Sequence, residues 1–168
     1  MDTVGVPGFE PGTYSPPDCC AARLRYTPRL VLSLGPYNLP RMPTTLMPML
    51  TVRTAAEAID FYRRAFGARE AAPRVTSPTG QIVAELELDG QRFFVVDENV
   101  AAFNNSPDTL KGTTVRLNLV VDDPDAVAER AVEAGATVVF PVSDQPYGMR
   151  QGRVADPYGH HWLIGKHL

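Results

Sequence analysis

Tyr147, Arg150, Arg153 and Trp162 form the densest group of polar and aromatic side chains in this sequence. Aromatic faces stack planar molecules and a guanidinium fork holds a carboxylate or phosphate, so the group suits capture of a small organic anion. It also fits an interstrand ladder in which Arg153 pairs with Asp156 and Tyr147 plugs the interior. Arg116 stands in the mostly apolar run Thr114 to Val121, where a charge must face a cavity or meet a carboxylate. Glu85 and Glu87 lie two apart, the spacing of one strand face and of a general acid paired with a base. Their alternation with Ile82, Ala84, Leu86 and Leu88 equally describes a solvent face, which we assign to Glu87 while Glu85 fits either role. His160 and His161 are adjacent, so on a strand they point to opposite sides and cannot both enter one cavity. Either one is a single acid or base near neutral pH, or a structural donor after a tight turn. His167, next to the last residue, carries no assigned role.

Several elements must position these residues. Leu46 to Val52 reads as a strand, and Thr54-Ala55-Ala56-Glu57 as a capping box that opens a helix. Ile59, Tyr62 and Phe66 recur at helical spacing and Gly67 supplies the left-handed stop. Strands follow over Ala68 to Thr76, Gln81 to Leu88 and Arg92 to Asp97, the last two joined by the hairpin signal Asp89-Gly90. The same order then returns. A strand spans Thr114 to Val121, and a helix is capped by Asp123, carries Pro124 at its first position and ends at Gly135. Strands then cover Thr137 to Val142, Gln151 to Asp156 and His160 to Lys166, the last two joined by the turn Asp156-Pro157-Tyr158-Gly159.

The body is therefore two copies of a βαβββ unit, with repeat 1 over 46–98, a linker and possible lid over 99–112, and repeat 2 over 113–168. The expected fold class is α+β. Two such units bury their bare faces by forming a curved, mostly antiparallel eight-stranded half-barrel with outer helices and a hollow that is the default binding site.

Residues 1–41 are rich in Pro and Gly and show neither period, so they read as an irregular tail outside the 42–168 domain. Gly5-Val6-Pro7-Gly8-Phe9-Glu10-Pro11-Gly12-Thr13 matches a peptide read through the T-arm of a tRNA gene, which predicts that translation starts near Met42 or Met47. The tail lacks the pattern of a secretory signal. A net charge of −3 supplies no basic field for nucleic acid, and no apolar run approaches a membrane span. Cys19 and Cys20, both in the tail, are the only cysteines, which points to a disulfide-free cytoplasmic body.

Four segments carry a resemblance: Leu50-Thr51-Val52-Arg53 with Ile59 to Ala68, Ala84-Glu85-Leu86, Ala131 to Thr137, and Asp144 to Trp162. Together they resemble the vicinal oxygen chelate superfamily, which includes glyoxalase I, fosfomycin and bleomycin resistance proteins and extradiol dioxygenases, and within it the PhnB-like group. The resemblance covers 46–168. It implies paired βαβββ units, a homodimer and a cavity able to house a divalent metal, with one His, Glu or Gln ligand on the first and last strand of each repeat. The matching positions here hold Met47, Arg116, the run Phe93-Phe94-Val95-Val96, and Leu163. None is a hard ligand and an arginine would repel the ion, so no metal and no cofactor are expected. Met149 also departs from the Asp usual after Tyr-Gly in the group.

The leading expectation is a small-molecule binding protein whose ligand contacts are Glu85, Arg116, Tyr147, Arg150, Arg153 and Trp162. Catalytic residues are not assigned. One alternative is a metal-dependent lyase or dioxygenase using Glu85 with His160 or His161. Another is a noncatalytic interaction domain whose cavity is filled by Phe93, Phe94 and Trp162.

Overall fold

A computed structural model describes residues 44–168, and the expectations for residues 1–41 and for Met42 lie outside the described residues. The repeated element order is present: β1 (Met49–Val52), α1 (Ala55–Phe66), β2 (Arg69–Glu70), β3 (Val75–Thr76), β4 (Ile82–Leu88) and β5 (Gln91–Asp97), then β6 (Arg116–Val120), α3 (Pro124–Ala134), β7 (Thr137–Gln145), β8 (Met149–Ala155) and β9 (His161–His167). Between them the linker holds one 3₁₀ turn, Val100–Ala102, and the short helix α2 (Pro107–Leu110), whose cap Ser106 accepts from the Thr109 N–H. The fold is α+β and has the half-barrel architecture.

Its strands divide between two hydrogen-bonded sheets of the same internal order, β1-β5-β4-β2 with β3 also on β4, and β6-β9-β8-β7. The pairs β1·β5 and β6·β9 are parallel and the others antiparallel. The strand expected over Ala68 to Thr76 is broken in two, because each half pairs with a different stretch of β4. At the β4–β5 hairpin Asp89 and Gly90 both have positive φ, 45° and 82°, the conformation of the tight turn that Asp-Gly favours.

Helix α1 buries Ala55, Ala58, Ile59, Phe61, Tyr62 and Ala65 and ends at Gly67, with φ of 76°. The Thr54 side chain makes no capping bond, contrary to the capping box expected there. Asp97, at the end of β5, takes the Ala55 N–H at 2.6 Å on one oxygen and the Ile82 N–H at 2.7 Å on the other. Asp97 thus satisfies the first amide of the helix, where the free N–H groups carry partial positive charge that a carboxylate complements. In α3 the expected cap is present, with Asp123 accepting from the Ala126 N–H at 3.1 Å.

The two repeats share one aromatic core. Phe66 and Trp162 lie 4.6 Å apart between ring centroids, Tyr62 and Trp162 5.6 Å, and Phe93 and Trp162 6.0 Å. Within this core sits a carboxylate, Asp156, only 5% exposed. One of its oxygens accepts from the Tyr62 hydroxyl at 2.7 Å and from the Trp162 indole at 3.0 Å. The other takes the backbone N–H groups of Tyr158 at 3.0 Å and His160 at 2.9 Å, closing the β8–β9 turn. Burial and the adjoining charge of Asp156 push the Tyr62 phenol well above its usual range, so it stays a donor at any working pH.

Asp156→Ala orphans two buried side-chain donors at once and is expected to lower the unfolding free energy by about 3 kcal/mol, whereas Tyr62→Phe loses about 1–2 kcal/mol. Urea unfolding of both variants checks the ordering. A loss below that of Tyr62→Phe for the alanine variant would mean that Asp156 does not hold the repeats together.

Candidate functional site

Alternation along β8 and β9 sorts the second sheet into two faces. Val154, Trp162 and Ile164 turn toward the helices and are buried. Gln151, Arg153, His161 and Leu163 therefore turn to the opposite, open face. Register places Arg116 of β6 beside His161, Asn118 beside Leu163, and Leu163 beside Arg153. Register shifts on either side of Phe140 in β7 bring its ring under the Arg153 guanidinium, 4.7 Å from the centroid. Gln151 donates to the Asn118 side-chain oxygen at 3.2 Å and accepts from the Tyr147 hydroxyl at 3.1 Å. Gly165 pairs with Gln151, and a Cβ there would meet the Gln151 side chain at 2.9 Å, so the glycine leaves room for this amide.

This face is electropositive. Neither Arg116 nor Arg153 has a carboxylate within ion-pairing distance among the described residues. The Nε of Arg153 is shielded from solvent and has no hydrogen-bond partner. His161 is held below its usual pKa, first by burial and then by Arg153 and Arg116, with Asp156 opposing.

Strand β6 is the outer strand of its sheet, and no described strand pairs with its free edge. Along that edge runs a cleft of about 1070 Å³ lined by apolar side chains such as Phe66, Phe93 and Trp162, by Asn118, and by both Arg116 with Arg130 and Asp89 with Asp122 and Asp123. Arg116 and Asn118 thus belong both to the cleft and to the electropositive face.

The residues expected to contact a ligand are dispersed over four places. Arg116 and Arg153 project from the open face two positions apart in register, Tyr147 reaches Gln151 at its far end, and Trp162 lines the cleft from the helix side with its indole N–H engaged by Asp156. Arg150 is not brought to them. It turns to the helix side, where Asp125 takes two bonds at 2.7 Å and Asp144 one at 2.9 Å, and these carboxylates hold its charge even more firmly than usual. Glu85 lies in the other sheet and is ion-paired with Arg92 at 2.9 Å. Arg153 does not pair with Asp156. Phe93 and Trp162 pack into the shared core instead of filling the cleft. His161, Gln151, Asn118 and Phe140 were not singled out as contacts. Strand alternation outward from a buried Trp162 is the signal that would have found His161.

The nonstandard metal set also fails to assemble, because His160 Nε2 contacts the Thr51 carbonyl at 2.9 Å and Glu85 is spent on Arg92. Among the described residues no three His, Cys, Asp or Glu side chains converge. The four positions where the superfamily places ligands hold a thioether, a guanidinium and hydrocarbon, so the donor set does not fit a divalent ion.

The model of the glyoxalase-like domain matches residues 49–164. The chain belongs to the glyoxalase-like family. An uncharacterised protein of Mycobacterium tuberculosis is 44% identical over 125 residues, covering 72% of this chain and 73% of its own. The X-ray structure of a gene product from Arabidopsis thaliana is similar at 30% identity and a TM-score of 0.59, covering 76% of this chain and all of the other. The crystal structure of a glyoxalase/bleomycin resistance protein/dioxygenase family enzyme from Burkholderia phytofirmans shares the fold, at a TM-score of 0.57 and 20% identity over 71% of this chain and 95% of the other. These likenesses set the glyoxalase-like chain within the vicinal oxygen chelate superfamily.

Because burial first, and then Arg153 and Arg116, hold His161 below the ordinary imidazole value of 6.5, the folded protein takes up its proton later than the unfolded chain as pH falls. This group therefore costs stability once pH drops through about 6.5, and the cost stops growing below its folded pKa. Arg153→Ala is expected to raise the His161 pKa, read from its imidazole resonances in an NMR titration. An unchanged or lower value would remove Arg153 as a source of the field.

Proposed function

We propose that this chain is a PhnB-like member of the superfamily that binds a small organic molecule in the cleft beside β6, without a metal at the superfamily position and as a cytoplasmic protein. The carrying observation is the cleft itself, about 1070 Å³ with aromatic and aliphatic side chains along one wall and Arg116 with Asn118 along β6. Apolar area beside convergent polar groups is typical of small-molecule sites, and here the polar groups carry both signs, with Arg92, Arg116 and Arg130 sharing the lining with Asp89, Asp122 and Asp123. The contacts proposed in the cleft are Arg116 and the face of Trp162, whereas Arg153 and Tyr147 stand on or beside the other face of the sheet and do not line it. Arg150 and Glu85 are left to the ion pairs they already make.

We also propose that the protein is a homodimer. Met49, Val120, Val138 and Phe140 stand between 49% and 60% exposed on its strands, more apolar strand surface than a solvated face needs. No described helix is long and apolar enough to cross a membrane, and the net charge of −3 disfavours a nucleic-acid partner.

Trp162 is the only tryptophan in the chain and lines the cleft, so its fluorescence reports occupancy directly. A screen of planar organic molecules is expected to yield compounds that quench it saturably and raise the melting temperature. Persistent failure across a broad screen would favour a noncatalytic interaction role. Incubation with zinc, nickel, manganese or iron is expected to leave the melting temperature unchanged, with elemental analysis finding far less than one metal per chain. One metal per chain with a raised melting temperature would instead call for lyase and dioxygenase assays. Light scattering on the eluting protein is expected to give twice the chain mass of 18.3 kDa.

A further inference from the structure

Strands β1 and β6 hold equivalent places in the two repeats, Leu50-Thr51-Val52 matching Leu119-Val120-Val121, but only one of them is covered. At β1 the Thr51 carbonyl meets His160 Nε2 at 2.9 Å and the Thr51 hydroxyl bonds to Asn104. Val120 stands where Thr51 stands, and its carbonyl has no such partner among the described residues. Val121 donates its N–H to the Gly165 carbonyl at 2.9 Å, which fixes the parity of the parallel ladder. The backbone groups of Leu117, Leu119 and Val121 therefore serve β9, while those of Arg116, Asn118 and Val120 point to the free side. A row of N–H and C=O groups at this spacing is a template for one more strand.

The two ends of β6 differ in sign. Arg116 opens the strand, and Asp122, with Asp123 beside it, lies about 20 Å further on at the rise of an extended chain. All three line the cleft, together with Asp89, Arg92 and Arg130. Arg92 is taken by Glu85 and Glu87, and Asp123 caps α3 through the Ala126 N–H. Arg116, Arg130, Asp89 and Asp122 enter no ion pair among the described residues. Between the charged ends the wall is apolar, with Phe66, Phe93, Leu119 and Trp162. A single ring occupies part of a cleft of about 1070 Å³ and reaches one end, whereas an extended chain of about six residues reaches both.

We propose that the ligand of this cleft is a short peptide that adds to the free edge of β6 as an antiparallel strand, its cationic end at Asp122 and its anionic end at Arg116. This rests on the ligand-binding reading above and specifies the ligand as a peptide. The direction follows from the charges. A peptide has its ammonium at the start and its carboxylate at the end, so placing the first by Asp122 and the second by Arg116 runs it opposite to β6. Main-chain bonds to Arg116, Asn118 and Val120 hold the backbone whatever its sequence, and alternate side chains turn toward the apolar wall to supply selectivity.

Three probes serve on the full chain: acetyl-Lys-Val-Phe-Thr-Val-Glu-amide, the same peptide with Lys and Glu exchanged, and the first peptide methylated at its backbone nitrogens. The first is expected to change Trp162 fluorescence saturably and to slow hydrogen exchange at the Asn118 and Val120 amides. The exchanged peptide is expected to bind about fivefold or more weakly, since both of its ends meet like charge. The methylated peptide, which cannot donate to the edge, is expected to bind at least about tenfold more weakly. Arg116→Glu combined with Asp122→Lys alters two exposed side chains and is expected to invert the order of the first two peptides, with native circular dichroism retained. Equal binding of those two by the unaltered protein would overturn the assigned direction. Undiminished binding of the methylated peptide would overturn strand addition. If Trp162 responds to planar organic molecules and to none of the peptides, the peptide inference fails and the ligand-binding reading stands. Silence toward both classes would overturn the two together. Protection of the Asn118 and Val120 amides without peptide, growing with protein concentration, would show a second copy on the edge and overturn the proposal.

Discussion

Asp156 is a buried carboxylate whose two oxygens accept four hydrogen bonds, and the arrangement of both repeats depends on it. A lone buried charge would be strongly unfavourable, but two backbone amides, a phenol and an indole compensate this one. The backbone pair fixes the β8–β9 turn, and hence the register in which β9 lies on β8 and β6. The side-chain pair ties that turn to α1 of the other repeat. Because Trp162 is anchored facing the helices, the residues on either side of it, His161 and Leu163, must face the other way. The composition of the open face thus follows from one carboxylate on the hidden side of the sheet.

Much of the architecture is legible in the sequence because its signals are local. Helical periodicity in Ile59, Tyr62 and Phe66, glycines past each helix end, and Asp89-Gly90 between two alternating runs all act within a few residues, and the elements stand where these signals lie. Long-range competition is what the sequence hides. Thr54 carries the local signature of a cap but makes no capping bond, and the side chain that meets the helix start is Asp97, 42 residues beyond the Ala55 amide it accepts from. The break between β2 and β3 depends on which stretch of β4 each half meets, which no property of Ala68 to Thr76 reveals.

The site is legible in part, for a similar reason. Arg116 stands out as a charge in an apolar strand, and it does line the cleft. Arg150 and Arg153 look like a pair in composition, but on one strand residues three apart point to opposite faces. They accordingly meet different surroundings, with Arg150 enclosed by Asp125 and Asp144 and Arg153 left against an aromatic ring. Gln151 and Asn118 carry no distinctive spacing, and only the register that sets β6 and β8 on either side of β9 makes their side chains meet.

The two repeats have the same strand order, so each ends in an equivalent parallel strand, β1 or β6. At β1 the linker and the β8–β9 turn close in: Asn104 bonds to Thr51, His160 reaches the Thr51 carbonyl, and Arg53 lies 3.9 Å from Asp108 of α2. The connecting segment exists once, since two units in one chain need one join. A tandem duplication that begins with matching halves therefore becomes unequal through its own connector, which covers one edge and leaves the other facing a cleft. Asymmetry follows from connectivity here: among the described residues a fold with twofold internal symmetry presents one open edge and one covered edge, and mutations at the two equivalent strands are free to follow separate histories.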